Sequence, residues 1–295
     1  MASQAARLTA IAIMMGLGPV LVTPAFAGKR RASRAGAAVT AGAGKRGSGN
    51  PLALMLEQRK YDQGLKWLTA FGKGGLQEDR YRGLFHHGLA QPEPALQYLL
   101  PVYRAKPTDD TVALALAEAS LWKKDYKTAA TVLGQLQSAE APEALRVRAL
   151  LFEQAGRLPE ALNLYDQAIP ALKQPWGAME RKAQVLSWLK RFDEAGATYT
   201  RVIDSPQASL GLRQRCRIRQ AELTAWKKDL DGALGQLAVL LKEEPRLPDA
   251  LLLKGQILEW KGDFAGAKQS YSRILAFDAA HAEARLRLEK LLWVK

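Results

Sequence analysis

One short pattern returns along this chain at nearly even intervals, which restricts it to folds built from a single repeated unit. WKKDYKTA at 122–129 is matched by WLKRFDEA at 188–195, WKKDLDGA at 226–233 and WKGDFAGA at 260–267. A looser copy, QAGRLPEA, stands at 154–161, and shorter echoes at 92–95 (PEPA) and 61–64 (YDQG). The last residue of each copy is small: Gly64, Ala95, Ala129, Ala161, Ala195, Ala233 and Ala267, separated by 31, 34, 32, 34, 38 and 34 residues. Such arrays bury their apolar faces only against neighbouring repeats.

Around these anchors the sequence resembles the tetratricopeptide-repeat (TPR) family, whose unit of 34 residues forms two antiparallel helices, A and B. The family's small helix A residue, twelve before the anchor, corresponds to Gly83, Ala117, Ala149, Ala183, Ala221 and Gly255. Its large helix B residue, four after the anchor, corresponds to Leu68, Leu99, Leu133, Tyr165, Tyr199, Leu237 and Tyr271. Pro107, Pro142, Pro206 and Pro245 fall at or near the place where a proline closes helix B. The resemblance implies an all-α fold, a right-handed superhelix of about seven helix-turn-helix repeats over 51–281. A capping helix over 282–295 is expected to follow, with Glu283, Arg285, Arg287, Glu289 and Lys290 on its polar face; truncation of a longer array is the competing reading. There are departures. The first repeat has Leu52 at the small position and a short helix A after Asn50-Pro51, and the spacing of 38 is expected to lengthen the turn around 205–211.

The N-terminus reads as an address. Arg7 precedes an apolar run from Leu8 to Val22, and Ala25 and Ala27 set small residues at a cleavage site. Residues 1–27 are therefore expected to be a cleavable export signal, which places the chain in the periplasm. An organelle transit peptide and a retained anchor are the rivals. Residues 28–50 carry six basic and no acidic residues without apolar periodicity, as in a disordered cationic linker. A glycine pattern at Gly42, Gly44 and Gly47 follows no strand and is chance.

Composition narrows the chemistry. The formal charge is +14, but residues 1–50 hold half of it, seven basic residues against no acids. Basicity thus says little about the array, and no nucleic-acid partner is expected. The single cysteine, Cys216, excludes an intrachain disulfide and a thiolate metal cluster. It reads as a buried filler, with an exposed cross-linking thiol as the alternative. Only three histidines are present, His86, His87 and His281, and no nucleophile sits in a recognisable turn. No enzyme, metal or cofactor is expected. Arg213, Arg215, Arg217 and Arg219 alternate along one helix and splay over opposite sides rather than forming a stripe.

The candidate binding residues follow from the family resemblance. Trp122, Trp188, Trp226 and Trp260 stand seven before their anchors, and Glu118, Gln184, Glu222 and Gln256 one turn earlier. In the family these positions face the concave groove. Indoles beside carboxylates and amides suit an extended protein segment, and they suit sugar rings. The structural alternative is that each indole packs on the next repeat. The expected function is a non-catalytic periplasmic scaffold holding a protein or peptide segment of an envelope complex. The second reading is a polysaccharide-binding module in exopolysaccharide export or cell-wall assembly, taking an anionic polysaccharide. The cationic linker allows peripheral membrane association.

Overall fold

The structure, a computed structural model, describes residues 50–291. The expected leader, all but the last residue of the linker, and the final four residues of the capping segment lie outside them. The described residues form fifteen α-helices, a 3-10 turn at Ile169–Ala171 and no strand. Seven A–B pairs run in order: α1 (Pro51–Glu57) and α2 (Tyr61–Phe71); α3 (Leu76–Gly88) and α4 (Pro92–Ala105); α5 (Asp110–Trp122) and α6 (Tyr126–Gly134); α7 (Pro142–Gln154) and α8 (Leu158–Ala168). The series continues with α9 (Trp176–Trp188) and α10 (Phe192–Ile203); α11 (Leu210–Trp226) and α12 (Leu230–Glu243); α13 (Pro248–Trp260) and α14 (Phe264–Phe277); then α15 (Ala282–Leu291).

The recurring motif writes the turn between A and B. Its third residue adopts positive φ in all seven repeats: Arg59, Ala90, Lys124, Gly156, Lys190, Lys228 and Gly262. This left-handed residue lets the chain fold back over the last turn of helix A. In repeat three the amide of Lys124 donates to the Leu121 carbonyl at 3.0 Å and that of Asp125 to the Ser120 carbonyl at 2.9 Å. The same bond pair closes the other six turns and satisfies carbonyls that helix A leaves unpaired. The aspartate of the motif then caps helix B. Asp125, Asp229 and Asp263 accept from the backbone amides of Thr128, Gly232 and Gly266.

Packing between A and B follows the small–large rule. Every anchor alanine is fully buried, as are all six small helix A residues. The seven large helix B residues are also buried, with Tyr165, Tyr199 and Tyr271 among the largest side chains in the core. The two sets meet directly. A Cβ at Gly83 would lie 2.6 Å from the side chain of Leu99, and one at Gly255 would lie 2.4 Å from the ring of Tyr271. Crossing this close is what excludes larger side chains.

Two local expectations are revised and one alternative falls. The four extra residues between repeats five and six mainly lengthen α11, to 17 residues against 13 for α5, α7, α9 and α13, while the turn before it spans 204–209, two residues more than 244–247, because α10 ends early. Four residues are close to one full helical turn, so the buried face keeps its direction. Ser209 caps this longer helix by accepting from the Leu212 amide at 3.3 Å. Pro142 opens α7 instead of closing a helix B, because the first helical position has no use for an amide hydrogen. Cys216 is fully buried, so the exposed-thiol alternative falls; burial pushes its thiol up to about 12.

The helices gather into two compact units, one ending at Glu160 and the other beginning at Ala161. Within each, a helix A touches the helix A of the next repeat, while helix B packs on its own and the following helix A. Contact between successive A helices, where successive B helices are not packed in the same way, makes the A helices the inner layer of each unit. Among the described residues no helix is long and apolar enough to cross a membrane.

Candidate partner-binding face

The expected binding residues all lie on the inner helix A layer, at or one turn before the helix end. The N-terminal unit holds Trp122 and Glu118; the C-terminal unit holds Trp188, Trp226, Trp260, Gln184, Glu222 and Gln256.

In the N-terminal unit the constellation is closed. Trp122 stacks on His87, with ring centroids 5.0 Å apart and planes 11° from parallel. Glu118 accepts two hydrogen bonds from the guanidinium of Arg146, both at 2.9 Å, and His87 Nε2 lies 3.3 Å from its Oε2. His87 belongs to α3 and Arg146 to α7, so Glu118 on α5 is held by both neighbouring A helices. Burial alone would push the Glu118 carboxyl up, but the adjacent Arg146 and His87 outweigh it and hold the group well below the usual carboxylate range.

The C-terminal unit is more open. Trp188 and Trp260 are 39% and 38% exposed. Trp226 is half-buried, tilted at 50° against Phe192 with centroids 6.2 Å apart, and its indole nitrogen is buried without a hydrogen-bond partner among the described residues. Phe192 starts helix B of the preceding repeat, so this indole does pack between repeats. The polar residues one turn earlier are largely committed within the unit. Glu222 is buried and pairs with Arg219 at 2.9 Å. Gln256 is buried and donates to Glu283 of α15 at 3.2 Å. Glu283 also accepts from Arg287 at 3.1 Å, so these two residues fold back on the array instead of forming a purely solvated face. Gln184 is half-buried, with no side-chain hydrogen bond among the described residues.

The arginine series separates by face. Arg215 reaches Glu180 of α9 through two bonds of 2.9 and 3.0 Å, while Arg217 pairs with Glu243 of α12. His86 stacks on Tyr98 and bonds to Gln91, and His281 accepts from the Ala284 amide at the start of α15.

One feature of this edge escaped the sequence reading. The lysine after the tryptophan crosses to the acid two residues before the preceding anchor. Lys123 pairs with Glu93 and Lys227 with Asp193, each at 2.5 Å, and Lys261 pairs with Asp231. A signal existed: where repeat five has Leu189 in the lysine position, repeat four has Pro159 in the acid position. Neither residue is charged, so the two losses go together.

The tetratricopeptide-repeat family model matches residues 249–277, most of repeat seven. No curated protein matches the chain. Among solved structures, a chain of the APC/C hetero-tetramer Cut9–Hcn1 is similar at TM-score 0.65 and 12% identity, over 82% of this chain and 48% of that one. This chain thus spans about half the length of that neighbour. A tetratricopeptide-repeat protein from Parabacteroides merdae aligns at TM-score 0.60 and 14% identity, over 82% of this chain and 96% of that one. PilW, a type IV pilus biogenesis factor, aligns at TM-score 0.61 and 17% identity, over 74% of this chain and 98% of that one. The seven-fold register of small anchors and left-handed turns, the match over repeat seven and the shared fold of these neighbours together show that the described residues have the tetratricopeptide-repeat fold.

Proposed function

We propose that this chain is a non-catalytic scaffold of the bacterial envelope that binds a protein segment along the helix A layer of its C-terminal unit. The observation that carries this reading is the exposure of Trp188 and Trp260, two equivalent indoles at helix A ends with over a third of their surface open. A large aromatic face left open at a repeated position offers contact area at little entropic cost to a ligand that runs along the repeats. Gln184 adds an uncommitted amide one turn from Trp188, while Glu222 is taken up by Arg219 on its own helix and Gln256 ties α13 to α15. The periplasmic setting rests on the leader expected at 1–27, with 28–50 as a spacer and α15 as the start of a terminal cap. The likeness to PilW agrees with a role in envelope assembly.

The test is in-cell photo-cross-linking of the full chain, with probes placed beside Trp188 and Trp260 and both protein and carbohydrate recovered. A discrete protein that disappears with Trp188→Ala and Trp260→Ala, while circular dichroism stays unchanged, supports the scaffold. Undiminished capture by the folded double variant overturns the site. Recovery of a polysaccharide without protein turns the face into a stacking column for sugar rings.

A further inference from the structure

At the opposite edge of the repeats, where helix B ends and the next helix A begins, two clefts occupy equivalent places. One, of about 420 Å³, lies in repeat two and is lined by Leu76, Arg80, Val102 and Asp109 among others. The other, of about 480 Å³, lies in repeat five and is lined by Trp176, Arg201, Asp204, Ser205, Pro206 and Gln207. Leu76 and Trp176 each stand nineteen residues before their anchors, Ala95 and Ala195. The other repeats with a full helix A have Asp110, Pro142, Gln214 and Pro248 there, so only these two have a large apolar side chain at that place.

The polar groups of the two clefts differ. In repeat two, Arg80 and Asp109 close on each other at 2.7 Å, and Asp109 also caps α5 through the Val112 amide. In repeat five, the side chains of Arg201, Asp204 and Gln207 have no hydrogen bond or ion pair among the described residues, and all three are exposed. They sit on a fixed wall. Ser205 is buried and accepts from the Gln207 amide at 3.2 Å, and Ser209 anchors the start of the lengthened α11. Among the described residues, the extra turn of α11 occurs at this junction alone.

The geometry points to a sugar-binding site: one uncharged pyranose ring stacked on Trp176, with its hydroxyls held by Asp204, Arg201 and Gln207. A pyranose presents an apolar C–H face that matches an indole, and its rim hydroxyls need donors and acceptors together. Asp204 supplies an acceptor, Arg201 donors, and Gln207 both. The carboxylate and the guanidinium cancel in charge, which favours a neutral ring over an anionic polymer. The cleft is shallow and open, which suits a single ring lying on the indole rather than an enclosed ligand. This site is separate from the indoles Trp188 and Trp260 and stands whether or not they bind protein.

The experiment is saturation-transfer NMR on the full chain with maltotetraose, chitotetraose and mannotetraose, each at about 5 mM, a level that detects millimolar affinity. At least one is expected to receive saturation at its ring C–H protons. Trp176→Ala should abolish the transfer, Asp204→Ala should weaken affinity about tenfold, and Val239→Ala, at an exposed position of α12, should leave it unchanged. Because Asp204 is exposed, its variant separates loss of ligand from any loss of fold in Trp176→Ala. The site is overturned by no transfer from any of the three sugars, by transfer that survives both cleft variants, or by selective binding of a polyglutamate peptide in their place.

Discussion

The same tryptophan position ends helix A in repeats three and five, and the two rings differ in how much surface they leave open. Trp122 lies flat on His87, beside a carboxylate clamped by Arg146, and is half-buried. Trp188 is 39% exposed, with no ring stacked on it among the described residues. Their A helices are both 13 residues long and are followed by the same left-handed residue two positions later, Lys124 or Lys190. The environment of the indole is therefore decided by what neighbouring repeats place beside it. In repeat two, Gly88 stands at the tryptophan position because Tyr61 already fills the space; a Cβ there would lie 2.5 Å from that ring. A repeat array can hold its backbone constant and open or close single positions by changing the adjacent unit.

The largest way to break this comparison is Glu118→Gln. It removes the charge that Arg146 clamps, in a site where the carboxylate is only 13% exposed, so a loss of about 3 kcal/mol is expected. Urea denaturation followed by hydrogen exchange should locate the loss in α3, α5 and α7. The pH dependence has a definite sign. The folded Glu118 carboxyl lies below its ordinary value of 4.5, so its stabilisation is fully present above that pH and is lost as pH falls toward the depressed value. The variant should therefore lose part of the acid-induced destabilisation below pH 4.5, and an unchanged acid slope would remove Glu118 as its source.

Gly255→Ala probes the core on which the open face is built. The new methyl would start 2.4 Å from the fully buried ring of Tyr271, and relieving that overlap should cost about 2 kcal/mol. Alanine is native at the equivalent Ala183 and Ala221, so the cost measures how closely α13 and α14 approach in particular. A neutral result would show that Tyr271 can swing away.

Trp122→Ala and Trp188→Ala sharpen the contrast itself. Losing the stacked, half-buried ring should cost about 2 kcal/mol, whereas losing the open ring should cost under about 1 kcal/mol. Partner capture should show the reverse order. Equal stability losses would mean that Trp188 packs structurally as firmly as Trp122.

What the sequence made legible was whatever a repeat determines alone. The small anchors, the large residues four later and the A–B turns are local, recur seven times, and stand in the structure where the pattern puts them. The extra four residues before repeat six were visible as a number but not as a helix, because 38 against 34 does not say whether a turn or a helix absorbs them. Pro142 illustrates the same limit: a proline between helices serves equally to end one or to start the next. At the candidate site the sequence supplied the positions but not their neighbours. That Glu118 belongs to Arg146 and His87, or that Gln256 is taken by Glu283, depends on residues 27 to 31 positions away whose partners alter from repeat to repeat. The lysine–acid ladder was readable only by comparing two columns at once.

The smallest effect tests the part of the molecule where the repeats agree. Five of the seven left-handed positions carry a side chain, among them Lys124 at φ 61° and Lys228 at φ 70°, while Gly156 and Gly262 occupy the others at 75° and 79°. A residue with a Cβ pays for this conformation by about 1 kcal/mol, and glycine gives back part of that gain through the freedom it has when unfolded. Lys228→Gly should therefore stabilise the C-terminal unit by about 0.5 kcal/mol, and Gly262→Ala should destabilise it by about 1 kcal/mol. Both follow from paired urea titrations. Opposite signs at two repeats of one unit would establish that the turn, and not the side chain that happens to occupy it, is what the seven-fold pattern preserves. If Lys228→Gly instead weakens the unit, the lysine contributes a contact that outweighs its backbone strain, and the turns are less alike than their backbones.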